Sequence, residues 1–181
     1  DVHWGSISED WLQGRAGFGG LVSAGALRAM ESLVEDGRSL RSALVNFVGP
    51  ASPGPIEARP RLLRGGRTLT QVGVEVWQGD RLRTVMNGVF GGERSTGIPL
   101  DAPRAPDAAL PEDCLPMPYM EGMTPKFTQH FDYRWAEGGF LFSGAKEGHI
   151  RGWIRPHGGG KFDSAMVLAL LDAWPPPLWP M

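Results

Sequence analysis

Gly19-Gly20-Leu21-Val22-Ser23-Ala24-Gly25-Ala26-Leu27-Arg28-Ala29-Met30 and Gly159-Gly160-Lys161-Phe162-Asp163-Ser164-Ala165-Met166-Val167-Leu168-Ala169-Leu170-Leu171-Asp172-Ala173-Trp174 read as the same piece built twice. Each is a glycine turn that opens an apolar helix, and a repeat of that kind describes an architecture. In the first copy the apolar positions run on to Leu33 and Val34 and cover more than a narrow stripe. Arg28, Glu31 and Glu35 leave one wet edge, and Gly37 is the natural stop. The second helix, Phe162 to Ala173, is apolar nearly all round and must end at Pro175-Pro176-Pro177. Such a helix needs enclosure on nearly every side.

The segments after the first helix supply a candidate wrapping. Leu40–Val48, Ile56–Leu63, Leu69–Trp77 and Leu82–Phe90 read as strands at roughly ten-residue spacing. Arg64-Gly65-Gly66-Arg67 reads as a hairpin turn using glycine at positive φ, and Gln78-Gly79-Asp80 as another. One helix followed by four antiparallel strands predicts an α+β unit in which a sheet curls around a helix. The span from 98 to 126 is dense in proline, including Pro99, Pro103, Pro106 and Pro111, and reads as a surface linker. Phe127–Trp135 and His149–Arg155 read as strands preceding the second helix. The chain thus divides into a first unit (1–97), a linker (98–126) and a second unit (127–181). The second unit reaches Met181 just after its helix, so its own set of strands is expected beyond the sequence given.

Composition excludes more than it assigns. The 181 residues, 41% hydrophobic and 21% charged, suit a soluble globular protein of one large or two small domains. A net charge of −2 gives no electrostatic reason to expect nucleic acid or an anionic membrane. The longest apolar stretch, Ala165–Ala173, is far short of the roughly 18 residues that span a bilayer, and no charged-then-apolar leader opens the sequence. The single Cys114 rules out an internal disulfide framework and suits a reducing cytoplasm.

Several cofactor signatures fail. Gly14-Arg15-Ala16-Gly17-Phe18-Gly19-Gly20 follows no apolar strand and lacks the dinucleotide spacing. His157-Gly158-Gly159-Gly160-Lys161 resembles a phosphate loop, but Phe162 stands where a hydroxyl would hold magnesium. His3, His130, His149 and His157 never fall at ligand spacing with Cys114, so neither a metal nor a cofactor is expected.

Three positions carry candidate chemistry. Gly19 and Gly20 stand at a helix N-terminus, whose unpaired amides polarise a carbonyl oxygen; they bind substrate on one reading and form a plain tight turn on the other. Asp172 lies in the last turn of an apolar helix, where the macrodipole disfavours an acid. Desolvated by Leu171 and Trp174, it is either a general base of raised pKa or an acid that turns back to a backbone amide. Asp163 is explained by N-capping. Asn46 reads as a buried amide, Asp132 as a wet-face residue among aromatics, and Arg61, Arg64 and Arg67 as a solvated turn.

Taken together, the glycine-rich lead into the first helix, Leu62-Leu63-Arg64-Gly65-Gly66-Arg67, His130-Phe131-Asp132-Tyr133-Arg134-Trp135, Trp153-Ile154-Arg155 and Asp163 through Pro176 resemble the TesB-like type II acyl-CoA thioesterases. The resemblance implies a tandem (double) hot-dog fold, each unit a central helix in an antiparallel sheet. It also implies hydrolysis of a fatty or related acyl-CoA in the cytoplasm, within fatty acid metabolism, by a homo-oligomer. The family's catalytic Asp corresponds to Asp172, while its Thr and Gln partners belong to strands expected past Met181. Phe18 occupies the place where some related units carry a histidine. The alternatives are a non-catalytic acyl-CoA-binding module and a hot-dog hydratase or dehydratase, the latter disfavoured by Phe18.

Overall fold

The computed structural model describes residues 1–95, 97–98 and 101–181; Pro99 of the linker lies outside them. The chain opens with a strand that periodicity does not reveal, β1 (His3–Ile7), followed by the two-residue pair β2 (Leu12–Gln13) and β3 (Ala16–Gly17) around the positive-φ Gly14. Helix α1 (Gly19–Glu31) leads into β4 (Ser39–Phe47), β5 (Gly54–Gly65), β6 (Leu69–Gln78) and β7 (Arg81–Gly91). These pair antiparallel in the order β1-β5-β6-β7-β4, so the expected meander is present with one more strand on its edge.

Strand alternation decides what faces the helix. Thr70, Val72, Val74 and Val76 of β6 are buried, and so are Thr84, Met86 and Phe90 of β7. The apolar ones among them meet Val22, Ala26, Leu27 and Met30 of α1 in one core. Each large aliphatic side chain contributes about 1.5–3 kcal/mol on full burial. Met30 packs closely over Gly88, where a Cβ would lie 2.6 Å from Met30 Cε and the methionine end would have to move.

Two local expectations change. Helix α1 ends at Glu31, and the chain tightens through Leu33 N–H to Met30 O and Val34 N–H to Glu31 O. Gly37, at φ +79°, serves the turn after the helix instead of its last residue. The β5–β6 hairpin forms, but neither Gly65 nor Gly66 adopts positive φ; the turn closes by Gly66 N–H to Leu69 O at 2.9 Å, beside a bulge between Leu62 and Arg64. Asn46 is exposed on β4, not a buried amide.

Within the proline-dense stretch, β8 (Leu115–Met117) pairs with β9 (Phe131–Gly138), which pairs with β10 (Ile150–Pro156). Residues 126–130 form a 3-10 turn, so the strand begins four residues later than Phe127. Phe131, Tyr133 and Trp135 share its buried face, as their alternation predicts. Arg151 Nη1 and Trp153 Nε1 donate to the carbonyls of Asp107 and Ala109, which lays the linker along β10.

Helix α2 (Ser164–Ala173) is capped by Asp163, whose side chain accepts from Met166 N–H at 3.1 Å. It runs antiparallel to α1, so the two macrodipoles oppose. Ala165, Ala169 and Ala173, four residues apart, form its buried stripe. Val167 is 44% and Leu171 74% exposed. Ala165 and Ala169 admit the close approach to α1, Leu168 and Leu170 pack beside the two cores, and Val167 and Leu171 stay on the exposed side.

Gly20→Ala and Gly25→Ala should therefore differ in sign despite equal helix propensity. A Cβ at Gly20 would meet Ala169 O at 2.7 Å, so the change should cost about 1–3 kcal/mol. Gly25 has open space around it and should gain up to about 1 kcal/mol. Denaturant midpoints of the two variants check the contrast.

Candidate active site at the end of the second helix

The antiparallel pairing carries the end of α2 to the start of α1. At the far end Arg28 Nη2 donates to Asp163 Oδ2 at 2.6 Å, and this pairing, with the Met166 amide, holds the Asp163 carboxyl below the usual carboxylate range. At the near end the Asp172 carboxylate lies beside the first turn of α1, and the Gly20 amide favours its charged form. The acid that α2's own dipole opposes is thus placed on the positive end of α1. That resolves the apparent conflict in the sequence.

The two glycines acquire a definite physical reason. A Cβ on Gly19 would lie 2.8 Å from Asp172 Oδ2 and 2.8 Å from Phe47 Cζ, and one on Gly20 would strike Ala169 O and the Phe18 ring. The room they leave is occupied by α2 and its carboxylate. The acid thus faces the start of α1, on an element far away in sequence.

Asp172 also lines a hollow of about 190 Å³ between the α2 C-terminus and β9. Phe127, Tyr133, Trp135, Trp174 and Trp179 supply aromatic walls. Burial beside them raises the carboxyl above the ordinary Asp range, and the Gly20 N–H pulls the other way without cancelling it. The side chain itself remains reachable at the rim. Tyr133 donates its hydroxyl to Ala173 O at 3.0 Å, tying down the turn that holds Asp172, and burial pushes its phenol up. Phe18 is fully buried and stacked on Phe127 at 4.0 Å and 2°, so this position is a packing element.

Sequence reasoning missed Gln13, Thr124 and Thr128, the other polar residues of the hollow. Thr128 Oγ1 donates to Pro125 O at 2.7 Å, while the Gln13 side chain makes no hydrogen bond among the described residues. Nothing in the local pattern marks them, since they come from a two-residue strand, a loop and a short 3-10 turn. Arg61, Arg64 and Arg67 lie away from the hollow; Arg64 and Arg67 are exposed, as a solvated turn requires. Asp132 is held by Arg134 and Arg155 on the opposite face of β9. Among the described residues no cluster of three or more His, Cys, Asp or Glu side chains is placed to hold a metal ion, and no helix is long and apolar enough to cross a membrane.

Comparison with known proteins bears on this arrangement. The family profile described as acyl-CoA thioesterase N-terminal domain matches residues 7–91, and that of the acyl-CoA thioesterase C-terminal domain matches 111–181. Among solved structures, a hot-dog protein of unknown function from Alicyclobacillus acidocaldarius is 22% identical with a TM-score of 0.86, covering 98% of this chain and 66% of that one. A putative thioesterase II from Thermobifida fusca YX is 22% identical with a TM-score of 0.84, covering 99% and 70%. A tesB protein from Mycobacterium avium subs paratuberculosis is 22% identical with a TM-score of 0.69, covering 95% and 61%. The chain therefore spans about two thirds of the length of these structures, and the likeness establishes the hot-dog fold. No curated protein matches the sequence.

The raised carboxyl has a consequence for stability. A group whose folded pKa lies above its unfolded value favours the fold below the unfolded pKa, and that contribution is lost as pH rises through the folded pKa. Asp172→Asn should accordingly melt above the unsubstituted protein at pH 7 and level with it near pH 3. Thermal melts of both proteins at the two pH values check it.

Proposed function

The chain belongs to the acyl-CoA thioesterase family, and on that premise we propose that it hydrolyses the thioester of an acyl-CoA to a free acid and CoA, with Asp172 as general base. One observation carries the reading: a carboxylate of raised pKa at the rim of an apolar hollow, beside the N-terminal amides of α1. Asp172 takes a proton from water as the water oxygen bonds to the carbonyl carbon. The carbonyl oxygen gains charge within the positive field of the α1 N-terminus, which opens at Gly19 and Gly20. Collapse breaks the carbon–sulfur bond, and the departing thiolate takes up the proton that Asp172 had accepted, which restores the carboxylate. A thioester lacks much of an amide's resonance stabilisation, so oriented water and polarising amides are adequate chemistry.

The same reading divides the chain into units 1–97 and 127–181 joined by 98–126. Location in the cytoplasm and a role in fatty acid metabolism complete it, the first supported by a lone free cysteine, Cys114. Association into a homo-oligomer is supported by the exposed Leu44, Phe47 and Leu171.

A second reading, a binding module without turnover, is favoured by the packing of Asp172 against the α1 N-terminus, which gives the acid a structural task. The two separate on Asp172→Asn. If Asp172 is the base, the variant loses thiol release by about 10²-fold or more while acyl-CoA binding persists. In the unsubstituted protein, release rises with pH along an acidic limb lying above the ordinary Asp range, because only the ionised carboxylate accepts the proton. Unchanged release in the variant would remove Asp172 from the chemistry.

A further inference from the structure

We propose that Tyr133 is a positioning residue for Asp172: from β9 its hydroxyl fixes the last residue of α2 and so keeps the neighbouring carboxylate against the start of α1; its part in turnover rests on the thioester reading above. The sequence creates the need for it. The last carbonyls of a helix find no donor inside it, and N–H groups three or four positions on usually serve them. For Ala173 those positions are Pro176 and Pro177, and for Asp172 they are Pro175 and Pro176. Proline has no N–H to give. Trp174 leaves the helix extended, at φ −78° and ψ 135°, so no left-handed cap follows either. Ala173 is buried, where an unpaired carbonyl is costly, and the Tyr133 hydroxyl meets its oxygen at 3.0 Å.

The anchor is firmer than the helix end it holds. β9 is the middle strand of its sheet, and Tyr133 is paired with Met117 of β8 on one side and Ile154 of β10 on the other. Its ring meets Phe131 edge-on at 6.2 Å, and Trp174 at 6.0 Å and 36°. Burial pushes the phenol up, so the hydroxyl keeps its proton through the neutral range. The last turn of α2, by contrast, has Leu171 in solvent on its outer side.

Tyr133 bonds the backbone one residue from the acid, not the carboxylate, so it acts on Asp172 through position. Burial is the larger influence on that carboxyl. Without the hydroxyl the last turn of α2 frays, Asp172 gains water, and its carboxyl falls back toward the ordinary Asp range. Other charges do not blur the effect. Asp172 and Tyr133 are the titratable side chains lining the hollow among the described residues, and α1 and β4 bring Gly19 and Phe47 to the acid. Asp132 and Arg134 pair with each other on the opposite face of β9.

In the full chain, Tyr133→Phe deletes the hydroxyl and keeps the ring. Thiol release from acetyl-CoA, hexanoyl-CoA and dodecanoyl-CoA is first followed against pH. At the plateau kcat should fall about 10-fold or more while KM stays within about 2-fold, and the acidic limb should move down. The second measurement needs no turnover: thermal melts, near pH 7 and near pH 3, of Tyr133→Phe, Asp172→Asn, the double variant and the unsubstituted protein. The gain in Tm that Asp172→Asn brings near pH 7 should shrink by about half or more in the Tyr133→Phe background, because there the acid is already hydrated. A tyrosine that only holds the fold lowers both melts alike and leaves that gain intact; this result overturns the inference, as does an Asp172→Asn variant with no gain to lose. Sucrose raises all the melts if Tyr133→Phe is marginal, and a Tyr133→Phe chain unfolded even there overturns it too. Coupled melts without thiol release sustain the placement and sink the hydrolase reading, whereas release with additive melts and an unmoved limb does the reverse.

Discussion

The close approach of two antiparallel helices, through Gly20 on one and Ala169 on the other, is the contact on which the rest of the structure depends. No side chain larger than these fits there, since even a single added carbon at Gly20 would meet the Ala169 carbonyl. Acids of the second helix and its cap lie at both ends of the pairing, Asp163 bonded to Arg28 and Asp172 beside the first turn of α1. One of these acids sits where its helix favours it and is held below the usual range. The other sits where its helix opposes it and is raised.

That asymmetry separates structure from chemistry. Asp163 caps its own helix and pairs with a cation, so its charge is stabilised twice over. Asp172 has only one amide against the desolvation imposed by its apolar surroundings. A carboxylate so poorly compensated is a cost to the fold and a resource for proton transfer, and functional sites are where such local conflicts persist.

The aromatic layer of β9 converts this acid into a site. Phe131, Tyr133 and Trp135 alternate onto one face, and the Tyr133 hydroxyl reaches the carbonyl next to the acid. Trp174 and Trp179, at the proline-rich exit of α2, complete the walls around the space between. The prolines therefore do more than stop a helix. They turn the chain so that Trp179 comes back to line the hollow beside Tyr133 and Trp135.

Local periodicity, turn chemistry and caps were readable from residues alone. The helices, the four-strand meander, the Asp163 cap and the anomaly of Asp172 all depend on neighbours a few positions away, and the spacing of side chains along a helix or strand records those neighbours directly. Tertiary structure alone decided that α2 packs on α1 by an alanine stripe with Leu171 exposed. It also decided that the Gly19–Gly20 turn receives an acid from the far end of the chain, and that Gln13 and Thr128 line one hollow with it. Contacts between segments so distant in sequence arise from how whole elements pack, and that packing leaves no periodic trace in either segment.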